Sequence, residues 1–173
     1  TYRLSSADHP VQPDETYTYD KVGNRKTSTQ HPDWAYDANN RLTSYNGTSY
    51  TYDNNGNTTS KTNTSGKTTY TYDYENRLIN VVAQFIGQES QPIAAYTYDP
   101  TGRRLSKTVD GVTKYYLYDN EDIIAEYDAT GSLIASYTHG LGIDEPIQGL
   151  SPQGTVPVWY YTLDGLGSVS ELT

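Results

Sequence analysis

The chain has no cysteine and no methionine, and only one phenylalanine and two tryptophans in 173 residues. Without cysteine there are no disulfides and no thiolate metal sites. Positive charge is also scarce: twelve Lys and Arg stand against twenty-one Asp and Glu, a formal net charge of −9. Those twelve cations are scattered, which excludes a surface that tracks the phosphates of a nucleic acid and disfavours heparin-like polyanions. No apolar run reaches the length of a membrane span, and residues 1–20 carry no signal-peptide pattern.

What the chain does have is tyrosine, nineteen of them. Its large sheltered side chains must therefore be mostly phenol rings, which favour strands and bring a hydroxyl that wants a partner. No stretch shows a helical period. Gly, Asn, Thr and Tyr dominate throughout, so the expected fold class is all-β.

A Tyr-Asp or Leu-Asp pair recurs, with aspartates at Asp20, Asp37, Asp53, Asp73, Asp99, Asp119, Asp128 and Asp164. Three residues after each stands Gly23, Asn40, Gly56, Asn76, Gly102, Asp122, Gly131 or Gly167. Gly, Asn and Asp are the residues that tolerate the left-handed region. The pattern predicts a type I turn opened by Asp and closed by a left-handed residue in a G1 bulge. Between these turns, Asn46-Gly47, Ser65-Gly66 and Asp110-Gly111 mark two-residue hairpins at the opposite end. A meander of about fourteen strands follows, each of about five to eight residues.

Period two before the aspartates places Tyr17 with Tyr19, Tyr50 with Tyr52, Tyr70 with Tyr72, Tyr96 with Tyr98 and Tyr116 with Tyr118 on one face. In-register hairpins would turn these rings into a ladder, each pair contributing about 0.2–1 kcal/mol. Two interruptions are expected: a short loop at 87–92 and a long Gly- and Pro-rich loop at 140–157. Otherwise residues 1–173 read as a single repeat region, a piece of a larger protein.

At this point the residues carry a resemblance. The units at 17–26 and 96–105, of the form Tyr-Thr-Tyr-Asp-x-x-Gly-Asn/Arg-Arg/Leu, resemble the YD repeats of Rhs proteins, of insecticidal toxin-complex components and of teneurins. Tyr137-Thr138-His139-Gly140-Leu141-Gly142-Ile143-Asp144-Glu145-Pro146 is similar to the segment leading into the bacterial Rhs core, and so is the stretch from Trp159 to Val169, which includes Asp164-Gly165-Leu166-Gly167-Ser168. The resemblance implies a β-sheet strip that spirals into a hollow shell or tube around a C-terminal toxin, exported to or displayed on the bacterial surface. The core aspartates that free such a toxin lie downstream of the second segment, so no toxin activity is expected of these residues.

Candidate sites favour turn chemistry over catalysis. Asp99-Pro100-Thr101-Gly102 has the form of the family's self-cleavage motif, yet it occupies the turn position shared by the other repeats. His9, His31 and His139 lack the spacing of a zinc site. Asp53 to Asn57 and Asp119 to Asp122 gather oxygens as calcium loops do, without the distal glutamate. Asn46, Asn57 and Asn63 open glycosylation sequons, which matter only in a glycosylating host. No nucleophile elbow is present, and no cofactor or metal is expected. Three functional readings follow. The first is a structural wall whose partners are the rest of its own polypeptide and an enclosed C-terminal toxin. The second is a surface adhesin whose tyrosines bind glycan. The third is a homo-oligomeric tube or fibre built through sheet edges.

Overall fold

The computed structural model describes residues 3–31, 33–142, 145–152, 154, 157–165 and 167–173. Among the described residues every regular element is a strand, seventeen in all. Each strand pair with a defined register is antiparallel, and the substantial contacts join strands adjacent in sequence. The chain divides into two compact units at Gln91/Pro92.

In the first unit, β1 (Ser6–Ala7), β2 (Glu15–Tyr19) and β3 (Arg25–Ser28) make a three-stranded sheet in chain order. A second run follows, again in chain order: β4 (Ala35–Tyr36), β5 (Leu42–Tyr45), β6 (Thr48–Tyr52), β7 (Thr58–Asn63), β8 (Gly66–Tyr72) and β9 (Leu78–Phe85). The second unit is a meander of β10 (Gln91–Tyr98), β11 (Arg104–Val109), β12 (Val112–Asp119), β13 (Asp122–Asp128), β14 (Leu133–His139), β15 (Pro146–Leu150), β16 (Val158–Leu163) and β17 (Val169–Leu172).

The two ends of these hairpins differ, as the two kinds of punctuation require. At one end Asn46-Gly47 and Asp110-Gly111 both take positive φ, 46° and 70°, 49° and 79°. That is the mirror-image turn whose twist matches the strands. At the other end the register shifts by one residue beside the aspartate, between Thr51 and Tyr52 or Thr97 and Tyr98, for example. This bulge absorbs the extra residue of the longer loop.

Four expectations need correction. The hairpin assigned to Ser65-Gly66 turns instead on Thr64-Ser65, because Asn63 pairs with Gly66 and its Oδ1 accepts from Ser65 N and Gly66 N. Gly66 then lies against the Gln84 carbonyl, where no Cβ would fit. The Asp119 hairpin also closes tightly, with Asp119 paired to Asp122 and the left-handed residue at Asn120, φ 52°. Asp122 is thus a strand residue. The stretch 140–157 is no single loop, since β15 lies inside it and pairs with both β14 and β16. Similarly, Pro92 belongs to β10, leaving the shorter loop at residues 86–90.

The core is thin. Among the described residues its buried apolar members are Val81, Ala83, Ala94, Ala125 and Ala135, and no large side chain is fully enclosed. Small residues fill the floor between half-covered phenol rings. Stability must therefore come from many partial burials and hydrogen bonds, with no single jigsaw centre.

Candidate functional site

The repeated feature is the aspartate turn, and its chemistry is the same each time. Asp53 is representative: its N–H donates to the Asn57 carbonyl at 3.0 Å, and its own carbonyl accepts from Gly56 N at 3.2 Å. Its Oδ1 accepts from Asn55 N at 2.9 Å and Asn57 N at 2.8 Å, while Oδ2 accepts from Asn57 Nδ2 at 2.9 Å. Asp20, Asp37, Asp73, Asp99, Asp128 and Asp164 repeat the backbone pattern with Gly23, Asn40, Asn76, Gly102, Gly131 and Gly167. Each of those partners has positive φ. A short side chain with an acceptor oxygen is what reaches the N–H groups two and four residues ahead, and the carboxylate of Asp adds a second oxygen for the residue four ahead.

The carboxyls of Asp20, Asp37, Asp53, Asp73, Asp99 and Asp128 are held in the charged form. For Asp99, the most sheltered, burial alone would raise the pKa. Donation from the Thr101 hydroxyl, the Arg103 guanidinium and two backbone N–H groups outweighs that and holds it well below the usual range. The same opposition, with the donors again prevailing, lowers Asp20 and Asp73. In Asp37 the Arg41 N–H leads, in Asp53 the Asn57 side chain, and in Asp128 the Thr130 hydroxyl. The oxygens around Asp53 that resemble a calcium loop are thus taken up by the turn itself.

One group of contributors was not anticipated: the residue four beyond each aspartate. Arg41 donates from Nε to Asp37 Oδ2 at 2.7 Å, from Nη1 to the Asp53 carbonyl at 3.1 Å, and lies over the Tyr52 ring at 4.9 Å. Arg103 repeats this, bonding Asp99 Oδ2 at 2.7 Å and the Asn120 carbonyl, and covering Tyr118 at 5.1 Å. One side chain therefore closes its own turn, grips the next and caps a tyrosine. The signal was present in the sequence, as Asn24, Arg41, Asn57, Arg77 and Arg103 all occupy that place.

The paired tyrosines are half-buried on one face, while Thr18, Thr51, Thr71 and Thr97 between them are exposed on the other. They do not stand ring against ring. Tyr50 pairs with Lys61 and Lys61 with Thr68, so a strand without tyrosine separates β6 from β8. Likewise Tyr70 faces Val81, and Tyr96 faces Lys107. The Tyr-x-Tyr pairs thus lie on β2, β6, β8, β10 and β12, with β7, β9 and β11 between the last four, although elsewhere tyrosines do meet, as Tyr115 pairs with Tyr127. Several hydroxyls reach back to the main chain: Tyr19 to Leu4 O at 2.8 Å, Tyr52 to Leu42 O at 2.6 Å and Tyr118 to Arg104 O at 2.9 Å. The opposite face carries hydroxyl pairs instead, such as Thr51 with Ser60 and Thr97 with Ser106, both at 2.7 Å.

The three histidines have different surroundings. His9 donates its N–H to Asp14 Oδ1 at 3.0 Å, His31 meets the Tyr45 ring edge-on at 5.0 Å, and His139 ends β14 with Nδ1 buried and without a hydrogen-bond partner among the described residues. Of the sequon residues, Asn57 and Asn63 have their side chains engaged in turns, and Asn46 sits exposed at a hairpin tip.

In the second unit the tyrosine face also holds charge. Lys114 Nζ pairs with Glu126 Oε2 at 2.9 Å, and the Tyr137 hydroxyl donates to Glu126 Oε1 at 3.0 Å. Burial, reinforced by that carboxylate, pushes the Tyr137 pKa up, so its proton stays in place.

Comparison with known proteins agrees with this geometry. Residues 36–67, and again 52–83, match the family described as RHS Repeat. No curated protein matches the chain. Among solved structures, the chain superposes on the TcdB2-TccC3 complex with a TM-score of 0.55 at 19% identity, over 88% of this chain and 9% of that one. A Photorhabdus luminescens Tc holotoxin pore gives 0.56 at 17% identity, over 90% and 8%. The likeness to these structures is one of fold, and this chain spans about a tenth of their length.

Proposed function

We propose that this RHS-repeat chain is a section of wall in a secreted or surface-associated toxin assembly, enclosing polypeptide and carrying out no catalysis itself. The observation that supports this reading is the coupling of one turn to the next. Each aspartate turn uses its polar groups internally, and residues such as Arg41 and Asn57 bridge to the following turn. Such a module extends by repetition. One of the structures it resembles is a Tc holotoxin pore.

The test uses the complete polypeptide to which these residues belong. The wall reading expects the segment that follows the repeats to resist protease under native conditions. Substituting Arg41→Ala and Arg103→Ala together should open it to cleavage. Equal cleavage with and without the substitutions, in a protein that remains folded, would count against enclosure. For this chain alone, incubation with generic ester and peptide substrates should give no turnover, and the Asp99–Pro100 bond should remain intact.

A further inference from the structure

On the tyrosine face of the second unit lies a concavity of about 640 Å³, lined in part by Tyr98, Tyr116, Tyr118, Tyr161, Arg104 and Glu126. Arg103, Glu121 and His139 line it too, and its charges are not equivalent. Arg103 is engaged by Asp99, and Glu121 is exposed to solvent. Glu126 is engaged on both oxygens, by Lys114 and by the Tyr137 hydroxyl. Arg104 makes no ion pair among the described residues, and its guanidinium rests over the rings of Tyr96 at 5.0 Å and Tyr98 at 6.0 Å. It is thus a fork of donors beside two aromatic rings, with no ion-pair partner among the described residues. The hydroxyls of Tyr116 and Tyr161 have no protein partner among the described residues either.

A guanidinium in that state suits one carboxylate, gripped through two parallel N–H bonds. Around it, phenol rings offer faces for C–H groups and hydroxyls that both donate and accept. The main chain offers little, since β12, β13 and β14 are each paired on both sides. An extended peptide laid there would find few backbone partners for its amides, whereas a sugar ring carries hydroxyls that side chains can satisfy. We propose that this concavity binds an acidic saccharide of the hexuronic acid type, with its carboxylate on Arg104 and its ring against Tyr98, Tyr116, Tyr118 and Tyr161. The site is separate from the wall role, and either can fail without the other.

Titration of the whole chain with D-glucuronic acid, followed by calorimetry or by tyrosine ring resonances, tests this. Saturable binding is expected, at least ten-fold tighter than for D-glucose and at least ten-fold tighter than for N-acetylglutamate amide, which has the carboxylate without the sugar. Arg104→Gln should weaken binding at least ten-fold. Because Arg104 also stacks on two rings, Tyr161→Phe is the companion variant, expected to weaken binding two- to five-fold with an unchanged melting temperature. Absence of saturation, equal affinity for either control ligand, or full affinity in both variants would overturn the proposal.

Discussion

Asn57 Nδ2 reaches Asn76 Oδ1 at 2.7 Å, so the side chain that closes one aspartate turn also holds the left-handed residue of the next. Asn55 Nδ2 meets the same oxygen at 2.9 Å. Successive turns are therefore coupled along one edge of the sheet.

That coupling predicts non-additivity. Asn57→Ala should destabilise by about 1–2 kcal/mol, having lost bonds to a charged and a neutral acceptor. Asn76→Gly keeps the left-handed backbone and removes the acceptor. A double-mutant cycle by urea denaturation should give a coupling of about 0.5–1.5 kcal/mol. Strict additivity would show that the bridge contributes nothing.

The left-handed closures should be sensitive for backbone reasons alone. At Gly102, φ is 92° and a Cβ would meet no atom within 4 Å. Gly102→Val should nevertheless cost more than about 1 kcal/mol, since a β-branched residue is strained there. Gly165, also open but without positive φ, is the control: Gly165→Ala should leave the melting temperature unchanged.

Gly149 is sensitive for the opposite reason. It pairs with both Tyr137 and Trp159, and the Trp159 indole occupies the space a Cβ would need. Gly149→Ala should displace the ring, destabilise by about 1–3 kcal/mol and shift tryptophan emission to the red. Unchanged emission would contradict this packing.

Tyrosine hydroxyls should divide into two classes. Tyr52→Phe loses the bond to Leu42 O and should cost about 1 kcal/mol. Tyr50, whose hydroxyl has no partner among the described residues, should tolerate Phe with no measurable change. Tyr137→Phe should cost the most, because it strips a donor from a sheltered carboxylate.

Acid should weaken the fold through the aspartates. Their folded pKa values are lowered, so the folded chain binds fewer protons than the unfolded chain, whose aspartates titrate near ~3.9. Their stabilisation is complete above that range and is lost as pH falls toward the folded values. Melting temperature should drop steadily below about pH 4. Asp99→Asn, already destabilised at neutral pH, should show a flatter decline, and a parallel one would remove Asp99 from the effect.

The local turn was legible in the amino-acid order because its requirements are local. An Asp that reaches forward, a Gly or Asn three residues later and alternating tyrosines are short-range demands, and they specified hairpins, faces and the all-β class. Asp119 and Ser65 misled the reading for the same reason: more than one turn satisfies a local pattern, and strand register chose between them. The stretch 140–157 was obscured by its Gly and Pro, although Gly149 is in a strand because Trp159 covers it from the neighbouring strand.

Tertiary structure alone decided which side chains meet across turns. Asn57 and Asn76 are nineteen residues apart, and Arg104 lies over Tyr96 and Tyr98 on the neighbouring strand. Their contacts depend on the register of β7 to β9 and of β10 to β12. Composition does not encode that register, because a shift of one residue would keep every turn signal while sending each side chain to the opposite face.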